Sequence, residues 1–359
     1  MAAAAELAAQ PLVSHDRLRK FIHRAGEVAG LDGADLELFV DGVAEADLRD
    51  LASHGVFRTP FYVRGFQRGE LKARPEVREL KAFGVTRHLD GDSGLGVILG
   101  QRCMDIAIEL AESHGIGLVA MRNSNHTGVL AVHVMRAARR GMIGYFVSNA
   151  PALMAPWGGV EPMLSNSPFA YAVPTLHEPI VLDMACSASA RGKIRLAAKE
   201  GRSIPLGWAV DASGRPTQDA HAALDGLILP MAGYKGYGIA LVNELLAAAL
   251  PGAVLAVDVS RQFLREDATY LDSWGIGHVA MAINPDAFVG RDNFARVSQS
   301  LVERIKSSGR VEGQDRILVP GEPEAEARTN RMRDGVPISP AVAKSLHQFA
   351  EEAGIEPLL

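Results

Sequence analysis

Two histidines stand where proton transfer would be at home, His54 in "SHGVFR" and His126 in "RNSNHTG". Imidazole changes charge closest to neutral pH, which makes it the first candidate for general acid or base work. Arg58, a turn away, carries a guanidinium fork that fits a carboxylate. The spacing puts His54 at the C-terminal end of a helix, where the dipole favours imidazolium, a form suited to giving a proton to a carbonyl oxygen. His126 precedes a helix N-terminus, which favours the neutral ring and suits it to orient a nicotinamide or substrate oxygen. Each stretch also has a plainer explanation. Gly55 reads equally as a left-handed helix cap with Pro60 as the stop, and Ser124 or Asn125 as an N-cap.

Two further stretches combine charge with small residues. In "VLDMACSASARGK" a strand delivers Asp183 at its end, and small residues then start a helix whose open amides suit a pyrophosphate. The same carboxylate could hold an imidazole in orientation, or simply cap the helix. In "AGYKGYG" three glycines let the backbone approach an anion while Lys235 supplies charge. "VPGE", ending at Gly321 and Glu322, is a weaker version of the same idea. Other chemistries fail on spacing. Gly94 and Gly96 lack the third glycine of a dinucleotide fingerprint, and Gly236 stands where a Walker loop needs Ser or Thr. "GDSG" at 91–94 reads as a turn, and no Cys/His spacing supports a metal.

The elements that must position these groups follow from periodicity. Apolar residues at helical spacing predict a helix over 35–51 within a helical stretch 15–70. From about Gly84 strands and helices alternate: "GVILGQRCMDIAIELAESHG" and "VLAVHVMRAARRG" are helices, "IGLVAM", "MIGYFVS", "FAYAVP", "PIVLDM" and "HVAMAI" strands. "IALVNELLAAALPGAVLAV" reads as a buried helix and a following strand, interrupted by Asn243, Glu244 and Pro251, and not as a membrane span. "NFARVSQSLVERIKSSG" and "SPAVAKSLHQFAEEAG" are helices. The expected organisation is a helical N-terminal lobe (1–83), a mixed α/β body (84–320) and C-terminal helices (321–359) packing back on the first lobe.

With 359 residues, 48% hydrophobic and 22% charged, the composition is that of a globular protein. A net charge of −5 without a basic block argues against nucleic acid and anionic membrane as partners. Two isolated cysteines and no signal-peptide pattern lead to the expectation of a reducing, cytoplasmic setting.

In order along the chain, "SHGVFR", "GLVAMRNSNHTG", "APWGGVEP", "VLDMACSASARGK", "GYKGYG", "GHVAMAI" and "VPGEPEAEA" resemble the malate/L-lactate dehydrogenase family. That family includes sulfolactate and ureidoglycolate dehydrogenases, with imino-acid and diketogulonate reductases as relatives. The resemblance runs from about residue 13 to 355. It implies an α/β fold with a mixed, largely antiparallel sheet flanked by helices, a helical lobe from both chain ends, and NAD or NADP bound without a Rossmann domain. It implies a homodimer with the active site near the subunit interface. Carried over residue by residue, His54 is the proton donor or acceptor, Asp183 and Ser53 its polar support, and Arg58 the clamp on the substrate carboxylate. His126 lies in the cofactor-adjacent loop, and some relatives give it the acid/base role. Cofactor or substrate contacts fall at Ser148, Asp183, Met184, Ala185, Ser187, Lys235, Gly236, Gly321 and Glu322. The expected reaction interconverts a small 2-oxo acid and its 2-hydroxy acid. The alternatives are reduction of a cyclic imino acid such as piperideine- or pyrroline-2-carboxylate, and a catalytically silent relative that binds a small acid or a protein.

Overall fold

The computed structural model describes residues 10–199, 201–259 and 275–359. Its strands are β1 (Leu12–Val13), β2 (Arg78–Phe83), β3 (Thr86–Asp90), β4 (Ile116–Ser124), β5 (Ile143–Ser148), β6 (Phe169–Val173), β7 (Ile180–Met184), β8 (Ala209–Val210), β9 (Leu227–Ile228), β10 (Ile276–Ile283) and β11 (Val336–Pro337). Seven of them form one sheet in the order β2-β3-β4-β10-β5-β6-β7. Only the β3–β4 pair is parallel; the other five are antiparallel. The fold is thus mixed α/β with a largely antiparallel sheet.

Side chains alternate across the sheet with the period of two that a strand imposes. On one face Val119, Met121, Phe146, Ala280 and Ala282 pack under the helices Gly96–His114 and Leu130–Arg139. On the other, Ala120, Tyr145, Val147 and Val279 meet Ala247 in the π-helical turn Leu245–Ala249. That turn continues the helix Tyr234–Glu244, whose apolar run was expected to be buried. Instead Ile239, Val242 and Leu245 are exposed on its outer side, and the segment after Pro251 forms no strand within the described residues.

The helices His15–Val28, Gly33–Leu48 and Thr59–Gln67 build a second core, which Leu346, Phe349 and Ala350 of the helix Pro340–Ala353 complete. Phe21 and Phe349 meet edge to face at 6.3 Å, and β1 pairs with β11, so segments from early and late in the chain close this lobe together. The helix Glu322–Asp334 crosses to it through Arg328, which pairs with Glu45 at 2.9 Å. The hairpin β2–β3 extends the sheet on the N-terminal side, so a boundary between 83 and 84 falls inside one hairpin.

Candidate active site

The helix that precedes His54 is shorter than its pattern suggests. It ends at Leu48, and Asp50 takes the left-handed conformation with φ 63°. Two single 3₁₀ turns follow, Ala52–His54 and Val56–Arg58, and the helix Thr59–Gln67 begins at once. Pro60 lies in the first turn of that helix, where its missing N–H costs nothing, so it opens a helix and does not stop one. Gly55 is not the left-handed cap, since its φ is −86°.

On this turn the Ser53 hydroxyl lies 2.9 Å from His54 Nδ1. Arg58 Nε donates to the Ser53 carbonyl at 3.0 Å, with its guanidinium 5.5 Å above the Phe61 ring. Burial, and then the Arg58 charge, push His54 down to about 4. The expected bias toward imidazolium is therefore reversed. His54 sits six residues beyond Leu48, past the reach of the helix dipole, and desolvation dominates.

His126 stacks on His54 with ring centroids 5.5 Å apart and planes within 17°. Its Nδ1 receives the Tyr62 hydroxyl at 2.8 Å and the Gly128 N–H at 3.3 Å. An amide N–H can only donate, so Nδ1 carries no proton and the neutral ring bears its proton on Nε2. Burial, followed by the charges of His54 and Arg58, holds His126 well below the ordinary histidine range. Its neutrality, expected from a helix N-terminus, thus has other causes. Tyr62 carries no signal in the sequence, because a tyrosine inside a predicted helical stretch reads as core until the fold sets its hydroxyl against His126.

Ser124 and Asn125 do not cap the helix Leu130–Arg139. Asp183 does, reaching over from the end of β7 to accept the Ala131 N–H at 2.8 Å and that of Leu130. Among the described residues its hydrogen-bond donors are these two amides and not His54, so direct support of His54 falls to Ser53 alone. Burial raises Asp183 to about 6 against the pull of those amides. Beyond it, no helix starts until Arg191. The amides of Cys186 and Ala188 are taken by Asn166 and Leu229 carbonyls at 2.7 and 2.8 Å, so the expected row of open N–H groups is interrupted at these two positions.

The other carried-over residues divide. Ser148 is buried, with its hydroxyl shared between the Asn149 and Gly277 carbonyls at 3.1 and 3.2 Å. Met184, Ala185 and Ser187 line the half-buried run after Asp183, with Ser187 Oγ donating to Ser189 O at 2.9 Å. The Met231 N–H donates to Cys186 O at 2.8 Å, which brings this run beside exposed Lys235 and buried Gly236 at the N-terminus of Tyr234–Glu244. Pro320 O accepts the Val181 N–H at 3.0 Å, so Gly321 and Glu322 lie along the same strand, β7. Glu322 is engaged by Lys306 at 2.5 Å and by the Val319 N–H at 3.1 Å. Two distant segments, at Met231–Gly236 and Pro320–Glu322, thus meet β7 and the run that follows it. A helix N-terminus with a lysine in its first turn, beside a glycine-bounded backbone, fits the anionic part of a dinucleotide.

A family model described as malate/L-lactate dehydrogenase matches residues 13–347. The chain belongs to that family. The structure of sulfolactate dehydrogenase from Methanocaldococcus jannaschii superposes with a TM-score of 0.89 at 35% identity, covering 96% of this chain and 98% of that one. Malate dehydrogenase from Pyrococcus horikoshii OT3 gives 0.88 at 32% identity, with 97% of each chain covered. The Delta(1)-pyrroline-2-carboxylate/Delta(1)-piperideine-2-carboxylate reductase of Pseudomonas syringae pv. tomato is 31% identical over 94% of this chain and 96% of that protein. The largely antiparallel sheet, unlike the parallel sheet that the dinucleotide fingerprint serves, accounts for the missing glycine pattern.

Proposed function

We propose that this chain is an NAD(P)-dependent oxidoreductase that interconverts a small 2-oxo acid and its 2-hydroxy acid, with His54 as the acid/base. The observation that carries the assignment is the difference between the two imidazoles. His126 has the donor-only Gly128 N–H on Nδ1 and would lose that bond on becoming imidazolium, whereas the Tyr62 hydroxyl could turn to accept. His54 faces a hydroxyl, which donates to a bare Nδ1 or accepts from a protonated one by rotating its hydrogen. His54 can therefore cycle between charged and neutral forms in place, and His126 serves as a fixed Nε2–H donor.

When bound, NAD(P)H supplies the hydride for the substrate carbon; Lys235, Gly236 and the Asp183–Ser187 run are the groups placed to hold it. Arg58 grips the carboxylate and aims the carbonyl at His54 Nε2, which gives its proton to the oxygen. Arg58 also lowers the affinity of His54 for a proton. A substrate carboxylate on Arg58 offsets that charge, so arrival of the substrate itself favours the imidazolium that reduction needs. Asp183 ties the cofactor strand to the helix behind the His126 loop and acts as a positioning residue.

Replacing His54 with glutamine should cost about 10²–10⁴ in turnover while NAD(P)H fluorescence still reports binding. Near-normal turnover would move the role to His126 or end the mechanism. Assays with pyruvate, oxaloacetate and piperideine-2-carboxylate side by side separate the hydroxy-acid reading from the cyclic imine, which the likeness to the Pseudomonas reductase keeps as the second reading. Absence of any response to either cofactor would favour the silent binder.

The exposed apolar row Ile239, Val242 and Leu245 supports a homodimer built on the outer side of that helix. Cys103 and Cys186 are both buried free thiols, which supports a cytoplasmic setting. No helix of the described residues is long and apolar enough to cross a membrane.

A further inference from the structure

We propose that Asp47 is a positioning residue, whose carboxylate seats the Gly55–Val56 step and thereby sets His54 and Arg58 on either side of it. The inference rests on the oxidoreductase reading for its activity readout. Asp47 occupies the last turn of Gly33–Leu48, only 2% exposed, with its Oδ2 accepting the Val56 N–H at 2.6 Å. Gly55 lies against the same group: a Cβ there would stand 2.1 Å from Oδ1 and 2.2 Å from Cγ. No side chain other than hydrogen leaves the carboxylate in its place.

For the helix itself, this aspartate is a poor choice. A carboxylate at a C-terminus opposes the dipole, and burial without an ion pair costs more. Among the described residues no cation bonds to its carboxylate oxygens. The Arg331 guanidinium instead takes the Asp47 main-chain carbonyl and the Asp50 carboxylate, pinning the helix end from the C-terminal helix Glu322–Asp334. Burial raises Asp47 to about 7, against the Val56 N–H and the Arg331 charge. What the carboxylate does for the molecule is hold the turn, at the point where a tilt would swing the imidazole and the guanidinium together. Displacement of about 1 Å at such a site is enough to cost on the order of 10²-fold in rate.

The test uses the full-length protein and a double-mutant cycle. Asp47→Ala should leave NADH affinity within about twofold, while lowering kcat and raising KM for the best 2-oxo acid by about tenfold or more each. Asp47→Asn, with an oxygen still able to accept the Val56 N–H, should recover most of both. Gly55→Ala should be as damaging as Asp47→Ala, and the double variant Asp47→Ala/Gly55→Ala no worse than either, because removing the carboxylate makes room for the new Cβ. If Asp47→Ala yields no soluble protein, Asp47→Ser replaces it in the cycle with the same expectations. Additive losses, or an unchanged KM in a merely less stable Asp47→Ala, overturn the inference while leaving the oxidoreductase reading intact. A wild-type chain inactive on every 2-oxo acid and cyclic imine tried sinks that reading first, and the inference with it.

Discussion

Substituting phenylalanine for Tyr62 separates the two imidazoles. The change is close to isosteric, and Tyr62 is wholly buried. Its ring is fixed by Phe39, at 6.0 Å and 79°, and by Phe61, at 5.9 Å and 63°, contacts that a phenylalanine keeps. What is lost is one 2.8 Å hydrogen bond to His126 Nδ1, which retains the Gly128 N–H at 3.3 Å. A neutral buried hydrogen bond is worth about 0.5–1.5 kcal/mol. If all of it were felt in the transition state, the rate would fall by about 2- to 13-fold. Burial keeps the Tyr62 hydroxyl protonated far above neutral pH, so it is a donor and not a base. The assay is steady-state reduction of a 2-oxo acid followed by NAD(P)H absorbance, for Tyr62→Phe and His54→Gln in parallel, with cofactor affinity from fluorescence. A modest loss in the first and a large one in the second are expected. A loss above about 10³-fold in Tyr62→Phe, beyond any single neutral hydrogen bond, with His54→Gln within tenfold of wild type, would show that the tyrosine–His126 pair moves the proton and that the tautomer reasoning is wrong.

Three other expectations follow from the structure. His133 and His278 are fully buried and held down to about 4 and about 3, so the unfolded chain binds protons near pH 6.5 that the fold refuses. Stability from each neutral ring is present above pH 6.5 and lost as pH falls; linkage gives about 2 kcal/mol per ring between pH 7 and 5. Asp47 and Asp183, raised to about 7 and about 6, act in the opposite sense, so the comparison is between wild type and His278→Leu in denaturant melts at both pH values. An equal pH dependence in the two would contradict it. Gly96 opens a helix against the His126 loop, and a Cβ there would stand 2.1 Å from Asn125 O and 2.8 Å from His126 O. Gly96→Ala should lower stability by about 1–3 kcal/mol and depress kcat with NAD(P)H binding retained; an unchanged kcat would show the loop can yield. Val242→Asp with Leu245→Asp should halve the mass seen by light scattering, and a wild type already of about one chain's 38.3 kDa would remove the dimer.

Much of the body was legible because its elements have an inside and an outside. The helix Gly96–His114 and the strands β4, β5 and β10 alternate or repeat apolar residues as burial demands. The hairpin strand β2 is exposed at all six positions, so "RELKAF" gives no pattern to read. The helix Glu322–Asp334 buries none of its side chains, and only its end signals were available, Pro323 and acids at the start and arginines at the finish. In the candidate site, Ser53, His54, Arg58 and His126 were visible as types near element ends, and the fold brings them together. The role of Asp183 was not legible, since the amides it accepts lie more than 50 residues away. Nor was the charge on His54. Its neighbour Arg58 was in plain view, but the desolvation that sets the sign belongs to the packed lobe.

The closure of that lobe by residues from both chain ends constrains synthesis. Val336, Ile338, Leu346, Phe349 and Leu358 are buried with residues from as early as Val13. A nascent chain that has not yet reached Val336 has its entire seven-stranded sheet before it has a finished mount for the imidazole. Turnover must therefore wait for residues 336–358, and a chain without them would hold every strand of the seven-stranded sheet with no reaction to perform.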